Sequence, residues 1–169
     1  MADIQLSTVI RPHEDPALVV ESVRGLFPDW EPESMPESSS FPQTRQDVLL
    51  EGGCESLDSL LESARNQRIL DTALDAMSMR LEGDSTLFSV SRQGAIAGKL
   101  SFVLEENTLG GEITVRIEMQ GLADWLERIT WHSGRDSIPR SIGDGLSMSG
   151  QGDPVEWFDK RGNPTMGDD

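Results

Sequence analysis

Two short stretches of the sequence carry cationic and amide side chains suited to binding phosphate groups. The candidate binding residues are Arg65, Gln67 and Arg68 in RNQR, and Arg92 and Gln93 in SRQ. A guanidinium group can make two directed hydrogen bonds to one phosphate, and a glutamine amide adds uncharged hydrogen bonds. The alternative is structural, because Arg65 or Arg68 would equally well hold a turn of the chain to nearby carboxylates.

The distribution of charge sets these residues apart from the rest of the chain. The 169 residues include 30 acidic and 14 basic side chains, for a net charge of -16. Residues 1–62 hold 13 acids and 3 bases, residues 63–100 hold 4 acids and 5 bases, and residues 101–169 hold 13 acids and 6 bases. The segment that contains the candidate binding residues is therefore the one without excess negative charge.

The basic residues are unusual in type, since 12 of the 14 are arginine and only Lys99 and Lys160 are lysine. An acid excess with few lysines predicts a halophilic protein. Salt at 1 M shortens the Debye length to about 3 Å, which screens the repulsion between carboxylates. The alternative is an ordinary acidic protein, which would repel nucleic acid.

Side chains for catalysis or metal binding are sparse in this sequence. Cys54 is the single cysteine, which excludes a disulfide or a multi-cysteine zinc site within one chain. His13 and His132 lie far apart in the sequence, and the acidic pair in EGD at 82–84 is more typical of a turn than of a cation site. No glycine-rich phosphate loop opens a helix. We therefore predict a protein that is not an enzyme and has no cofactor and no metal.

The length of the chain fits one domain. It has no charged start followed by an apolar run of signal length, and no stretch of about 18 consecutive apolar residues. We expect a cytoplasmic protein that does not associate with membranes.

A strand and a helix are the first elements that the sequence predicts. Alternating apolar residues from Ile4 to Ile10 indicate a half-buried strand. Asp15 is a suitable N-cap with Pro16 at the first helical position, and the helix should end before Pro28. The apolar stripe of this helix would comprise Leu18, Val19, Val23 and Leu26.

Three prolines and four serines between Glu31 and Thr44 predict a mobile surface loop at 31–44. A short strand from Asp47 to Glu51 should follow, and Ser56 would cap the next helix.

RNQR is predicted to lie at a corner between two helices. The apolar residues of 57–64 and of 69–77 would occupy opposite sides of one straight helix at about 100° per residue. The chain should therefore turn between Arg65 and Gln67, with Asn66 capping the second helix. In the structural alternative, Arg68 shares the outer face of that helix with Asp71 and Asp75 at ion-pair spacing.

A hairpin and a further strand would position SRQ and a polar sheet face. A three-residue loop at Gln93–Ala95, with its glycine left-handed, places Phe88 opposite Leu100. Ile113 to Met119 alternate as another strand, and Leu122 to Ile129 should form a helix. The sheet face turned away from the helices would carry Ser89, Ser91, Lys99, Ser101, Thr114 and Arg116. Lys99 and Arg116 make this face a secondary candidate for binding, and it would suit a dimer interface equally well.

Four stretches of the chain carry a resemblance to a known family. RPHEDPALVVESVRGLFPD, RNQRILDTA, EGDSTLFSVSRQGAIAGKLSF and LGGEITVRIE resemble, in order and spacing, an archaeal family of uncharacterised conserved proteins. The resemblance spans about residues 3–130. It implies an α+β fold similar to that of ribosomal protein L-five, an antiparallel sheet with helices packed on one face. The family is often labelled RNA-binding, and its RNQR and SRQ motifs match the candidate binding residues.

Residues 1–130 are therefore expected to form a single α+β domain. The acidic, Gly/Ser-rich segment 131–169 extends beyond the family pattern and is predicted to be a disordered tail. The leading hypothesis for function is a non-catalytic module that binds structured RNA, because guanidinium groups suit phosphates and no base-stacking aromatics are evident. The alternative is a dimeric structural or protein-interaction module that works without nucleic acid.

Overall fold

The computed structural model describes residues 2–34, 47–104 and 111–142. Its strands form one antiparallel sheet in the order β2-β3-β1-β6-β4-β5. They are β1 (Asp3–Ile10), β2 (Glu31–Pro32), β3 (Val48–Cys54), β4 (Ser85–Ser91), β5 (Phe102–Val103) and β6 (Glu112–Glu118).

The helices cover one face of this sheet. They are α1 (Pro16–Arg24), α2 (Asp58–Asn66), α3 (Leu70–Ser78), α4 (Arg92–Ile96) and α5 (Leu122–Ile129), with a 3-10 turn at Ser133–Asp136. Alternate residues of β1, β4 and β6 are buried on the same side of the sheet, and they form one core with the buried side chains of the helices. The α+β class is thus confirmed. None of the helices in the described segments has the length and apolar character needed to cross a lipid bilayer.

The predicted first strand and first helix are present, with one error in the apolar stripe. The Asp15 carboxylate accepts a hydrogen bond from the Ala17 N–H at 3.0 Å, and Pro16 opens the helix as expected. Leu18 is 56% exposed, whereas Val20 is buried. The helix presents its 19–20–23 side to the sheet, and Leu18 lies outside that stripe.

The predicted loop at 31–44 begins with a strand, which is a correction to the sequence prediction. Glu31 and Pro32 pair with Gly53 and Gly52 of β3, which itself extends beyond the predicted Asp47–Glu51. The approach is close, because a Cβ atom at position 52 would lie 2.0 Å from the carbonyl oxygen of Glu31. Residues 35–46 lie outside the described part of the chain.

The corner between α2 and α3 is confirmed, but its caps differ from those expected. Asn66 is the last residue of α2 and does not cap α3, which is preceded by Ile69. Ser56 does not cap α2 either, because Leu57 occupies the cap position. Neither helix therefore has a side-chain hydrogen bond at its N-terminal cap.

The predicted hairpin at Gln93–Ala95 is wrong. Residues 92–96 form α4, and the Ser91 hydroxyl accepts a hydrogen bond from the Gly94 N–H at 3.1 Å. β4 instead pairs with β5 through Ser89 opposite Val103. β6 and α5 have the predicted positions within one residue.

Residues 131–142 pack against the domain, although the sequence assigned them to a disordered tail. The Arg135 side chain is buried, and Ile142 packs against the core. The ordered domain therefore continues to at least residue 142, and residues 143–169 of the predicted tail lie outside the described part.

Candidate nucleic-acid interface

Gln67 fastens the loop before β5 to the helix corner. Its Oε1 accepts a hydrogen bond from the Leu100 N–H at 2.7 Å, and its Nε2 donates to the Leu100 carbonyl at 2.9 Å. Ser63 donates to the same Oε1 at 2.9 Å and lies 3.3 Å from the Gly98 carbonyl oxygen. Gln67 is thus a structural residue whose amide is already occupied, which differs from its expected role as an RNA contact.

Three exposed cations lie around this joint, and we refer to Arg65, Arg68 and Lys99 as the corner surface. Arg65 and Arg68 flank the end of α2, and Lys99 directly precedes the residue that Gln67 binds. In the part of the chain that the structure describes, none of the three makes an ion pair. The expected pairing of Arg68 with Asp71 and Asp75 is absent there, because those carboxylates bind residues of the 131–142 segment.

Arg68 has an uncommon backbone conformation, with a φ of 60° in the left-handed region. Its N–H donates to the Arg65 carbonyl at 3.1 Å, and the Ile69 N–H donates to the Ala64 carbonyl at 2.9 Å. This pair of bonds is the Schellman ending of a helix, in which glycine usually occupies the position of Arg68. A left-handed residue with a Cβ costs about 1 to 2 kcal/mol, so the chain retains a cationic side chain here against the backbone preference.

Gln93 is exposed on α4, and its backbone lies close to that of Lys99 in the corner surface. The Lys99 N–H donates to the carbonyl of Gly94, the residue after Gln93, at 2.9 Å. Lys99 belongs to this loop and not to the sheet face on which the sequence placed it. The structure therefore brings Lys99 to RNQR, which the sequence pattern did not predict.

Arg92 is not available for binding, which corrects its assignment as an exposed site residue. Its side chain is only 4% exposed, and its guanidinium donates to the Thr8 hydroxyl at 3.0 Å and to the Val9 carbonyl at 2.7 Å. It also forms an ion pair with Glu14. A Cβ atom at Gly111 would lie 2.3 Å from the guanidinium, so this glycine is needed for the close approach. Arg92 is a buried structural residue that connects β1 to the loop before α1 and to the residue before β6.

The uncovered face of the sheet carries mainly negative charge. Arg116 lies between Gln5 and Leu87 in the register and pairs with Glu118. A concavity of about 290 Å³ on this face is lined by Asp3, Gln5, Leu6, Ser7, Glu33, Glu51, Leu87, Thr114, Arg116 and Glu118. Four carboxylates against one guanidinium make this face a poor partner for a phosphate backbone.

Sequence reasoning missed a polar cluster between α3 and the 131–142 segment. His132 Nε2 lies 3.0 Å from Asp71 Oδ1, and Arg135 Nε donates to the same oxygen at 3.0 Å. Burial tends to raise the pKa of Asp71, but the hydrogen bonds and charges of His132 and Arg135 outweigh it and hold that pKa below its usual value. Arg140 binds Asp75 one turn further along α3. The available signal was the set of basic residues after α5, namely His132, Arg135 and Arg140.

The described residues hold no group of three or more His, Cys, Asp or Glu side chains that could bind a metal ion. Burial and a hydrogen bond to Asp29 raise the pKa of the Cys54 thiol to about 12. Cys54 is therefore a protonated thiol at neutral pH and not an activated nucleophile.

Comparison with known proteins assigns this chain to a family. No family model matches the chain. A UPF0201 protein of Sulfurisphaera tokodaii is 35% identical over 130 residues, which cover 75% of this chain and 87% of that relative. The chain belongs to the UPF0201 family. This assignment confirms the resemblance to an archaeal family of uncharacterised proteins.

Solved structures of UPF0201 proteins share the fold. The protein from Methanococcus jannaschii superimposes with a TM-score of 0.60 at 23% identity, over 76% of this chain and 99% of that one. A second uncharacterised UPF0201 protein gives a TM-score of 0.61 at 27% identity, over 74% and 90% of the two chains. This chain thus has the same fold as these UPF0201 structures over about three quarters of its length.

Proposed function

We propose that this UPF0201 protein is a non-catalytic module that binds structured RNA through the corner surface. The observation that carries the proposal is the pair of hydrogen bonds from the Gln67 side chain to the Leu100 backbone, which we call the Gln67 joint. These bonds hold Lys99 beside Arg65 and Arg68. These cations are exposed and, among the described residues, free of ion pairs, in a chain with a net charge of -16. Gln93 supplies an uncharged donor and acceptor at the edge of the same surface.

The use of arginine suits the salt conditions that we propose for this protein. Binding driven by counterion release weakens as a power of the salt concentration, so a few point charges contribute little near 1 M salt. Directed, paired hydrogen bonds from a guanidinium depend less on unscreened charge. Arg65 and Arg68 would therefore provide most of the affinity, with Lys99 as a weaker contact.

The test compares corner variants with a sheet-face control in high-salt buffer. Arg65→Ala and Arg68→Gly should each weaken binding of a structured RNA by about 10- to 150-fold, because each removes a charged hydrogen bond worth roughly 1.5 to 3 kcal/mol. Arg116→Ala removes an exposed guanidinium from the opposite side of the sheet and should bind like the parent. The proposal fails if the corner variants bind like the parent, or if only Arg116→Ala loses affinity.

A second candidate function is a homodimeric or protein-interaction module that uses the uncovered sheet face. Val9 and Leu49 are exposed and directly opposite each other on β1 and β3, which favours a partner on this face. Arg116→Ala and Leu49→Asp would then lower the molar mass measured by light scattering from that of a dimer to that of a monomer. A parent protein that is monomeric at all concentrations excludes the dimer.

We also propose three finer features. The resemblance supports a relationship of the sheet and helices to ribosomal protein L-five, the acidic and lysine-poor composition supports a halophilic source, and the lack of a signal-like or long apolar stretch supports a cytoplasmic location.

A further inference from the structure

We infer, on the basis of the function proposed above, that Trp131 is a stacking platform for an unpaired RNA base beside the corner surface. The ligand class is then a structured RNA with an unpaired loop, bulge or single-stranded end, and not an uninterrupted duplex.

Trp131 combines exposure with a fixed backbone. Its side chain is 53% exposed, and its N–H lies 3.3 Å from the Arg128 carbonyl at the end of α5. On one side, the buried Thr130 donates its hydroxyl to the Leu126 carbonyl at 2.8 Å. On the other side, His132 is bound to Asp71. Trp131 therefore exposes its aromatic ring to solvent, while hydrogen bonds hold the residues on either side of it in place.

The same contacts place Trp131 near the corner surface. Asp71 lies in the first turn of α3, three residues after Arg68, and three residues of chain span at most about 11 Å. One hydrogen bond of 3.0 Å then joins Asp71 to His132, the neighbour of Trp131. Arg135 binds the same Asp71 oxygen and secures the connection. Arg68 and Trp131 are thus both connected to the N-terminal end of α3.

The chemistry of this end differs from that of a purely cationic patch. Stacking of a base on an aromatic side chain is tolerant of sequence and does not depend on counterion release. The interior bases of a continuous duplex are stacked on one another on both faces, so along the length of an RNA only an unpaired base can lie on Trp131. Arg128, one turn earlier, is exposed and without an ion pair among the described residues, and it would contact a flanking phosphate.

The test measures binding of two RNAs of equal length, a hairpin with an unpaired loop and a blunt duplex. Trp131→Ala should weaken hairpin binding by about 5- to 150-fold, the range seen for loss of one base stack, and should leave duplex binding unchanged. Trp131→Phe keeps a smaller ring and should fall between the parent and Trp131→Ala. Hairpin binding should also quench tryptophan fluorescence in the parent but not in Trp131→Ala. Ile138→Ala is the matched control, because Ile138 is 67% exposed on the same segment.

Each result separates this inference from the proposed function. If Trp131→Ala binds the hairpin like the parent while Arg68→Gly loses affinity, the stacking role is overturned and RNA binding stands. If Ile138→Ala weakens binding as much as Trp131→Ala, the segment makes a general apolar contact and stacking is again overturned. If the parent binds neither RNA, both the inference and the proposed function fail.

Discussion

The carboxamide of Gln67 binds both backbone groups of Leu100, at 2.7 Å to its N–H and 2.9 Å to its carbonyl. It thereby occupies the place that a neighbouring strand would take, because a strand residue also exchanges an N–H and a carbonyl bond with its partner. The position of Lys99 therefore depends on a side chain 32 residues earlier in the sequence.

Replacing Gln67 with alanine should destabilise the domain. The Leu100 N–H and carbonyl lose their partners in a partly buried site, and the free energy of unfolding should fall by about 1 to 3 kcal/mol in a denaturant titration. Gln93→Ala is the control, since an exposed amide contributes within about 0.5 kcal/mol. Equal stability of the two variants would contradict this role for Gln67.

Arg68→Gly should raise stability while it removes the guanidinium. Glycine adopts a φ of 60° without the Cβ clash, and the expected gain is about 0.5 to 1 kcal/mol over Arg68→Ala, which retains the clash. Thermal melts of the two variants measure this difference. A glycine variant less stable than the alanine variant would show that the left-handed conformation carries no strain.

Arg92 and Arg11 should differ greatly in their contribution to stability. Arg92→Ala leaves Glu14 partly buried without its guanidinium and should cost about 3 to 5 kcal/mol. Arg11 forms an exposed pair with Asp47, and Arg11→Ala should cost at most about 1 kcal/mol. Denaturant titrations of the two variants test the contrast. Similar losses from both would mean that burial does not set the strength of the Arg92 interaction.

The success of sequence reasoning depended on how local each signal was. Alternation within β1 and β6 and the two opposed apolar faces around RNQR are contained in a few residues, so those elements were predictable. The burial of Arg92 was not, because its partners Thr8 and Glu14 lie about 80 residues away. The same holds for residues 131–142, whose polar composition is typical of a disordered tail. Their order depends on ion pairs with Asp71 and Asp75, which lie more than 60 residues earlier in the chain. At the candidate site the cations of RNQR were identified, whereas Lys99 joined them only through the Gln67 joint.

The pKa of Asp71 predicts how the attachment of the 131–142 segment depends on pH. A carboxylate with a lowered folded-state pKa contributes stability above its unfolded pKa of about 3.8 and loses that contribution as the pH falls through the folded value. The difference in unfolding free energy between the parent and Asp71→Asn should therefore shrink as the pH falls below about pH 4. A difference that is the same at about pH 7 and about pH 3 would contradict this role for the Asp71 carboxylate.

Salt concentration should decide whether this chain folds at all. At about 10 mM salt the Debye length is about 30 Å, so carboxylates repel one another over long distances, including the four around the sheet-face concavity. At 1 M salt the length falls to about 3 Å, and only adjacent charges interact.

We therefore expect the protein to lose its cooperative thermal transition, as measured by circular dichroism, on dialysis from molar to about 10 mM potassium chloride. Sucrose is the control, because it favours compact states without screening charge and should restore folding less effectively than the salt. A cooperative transition that persists at 10 mM salt would mean that the net charge of -16 is tolerated without screening and that the acidic composition is not an adaptation to salt.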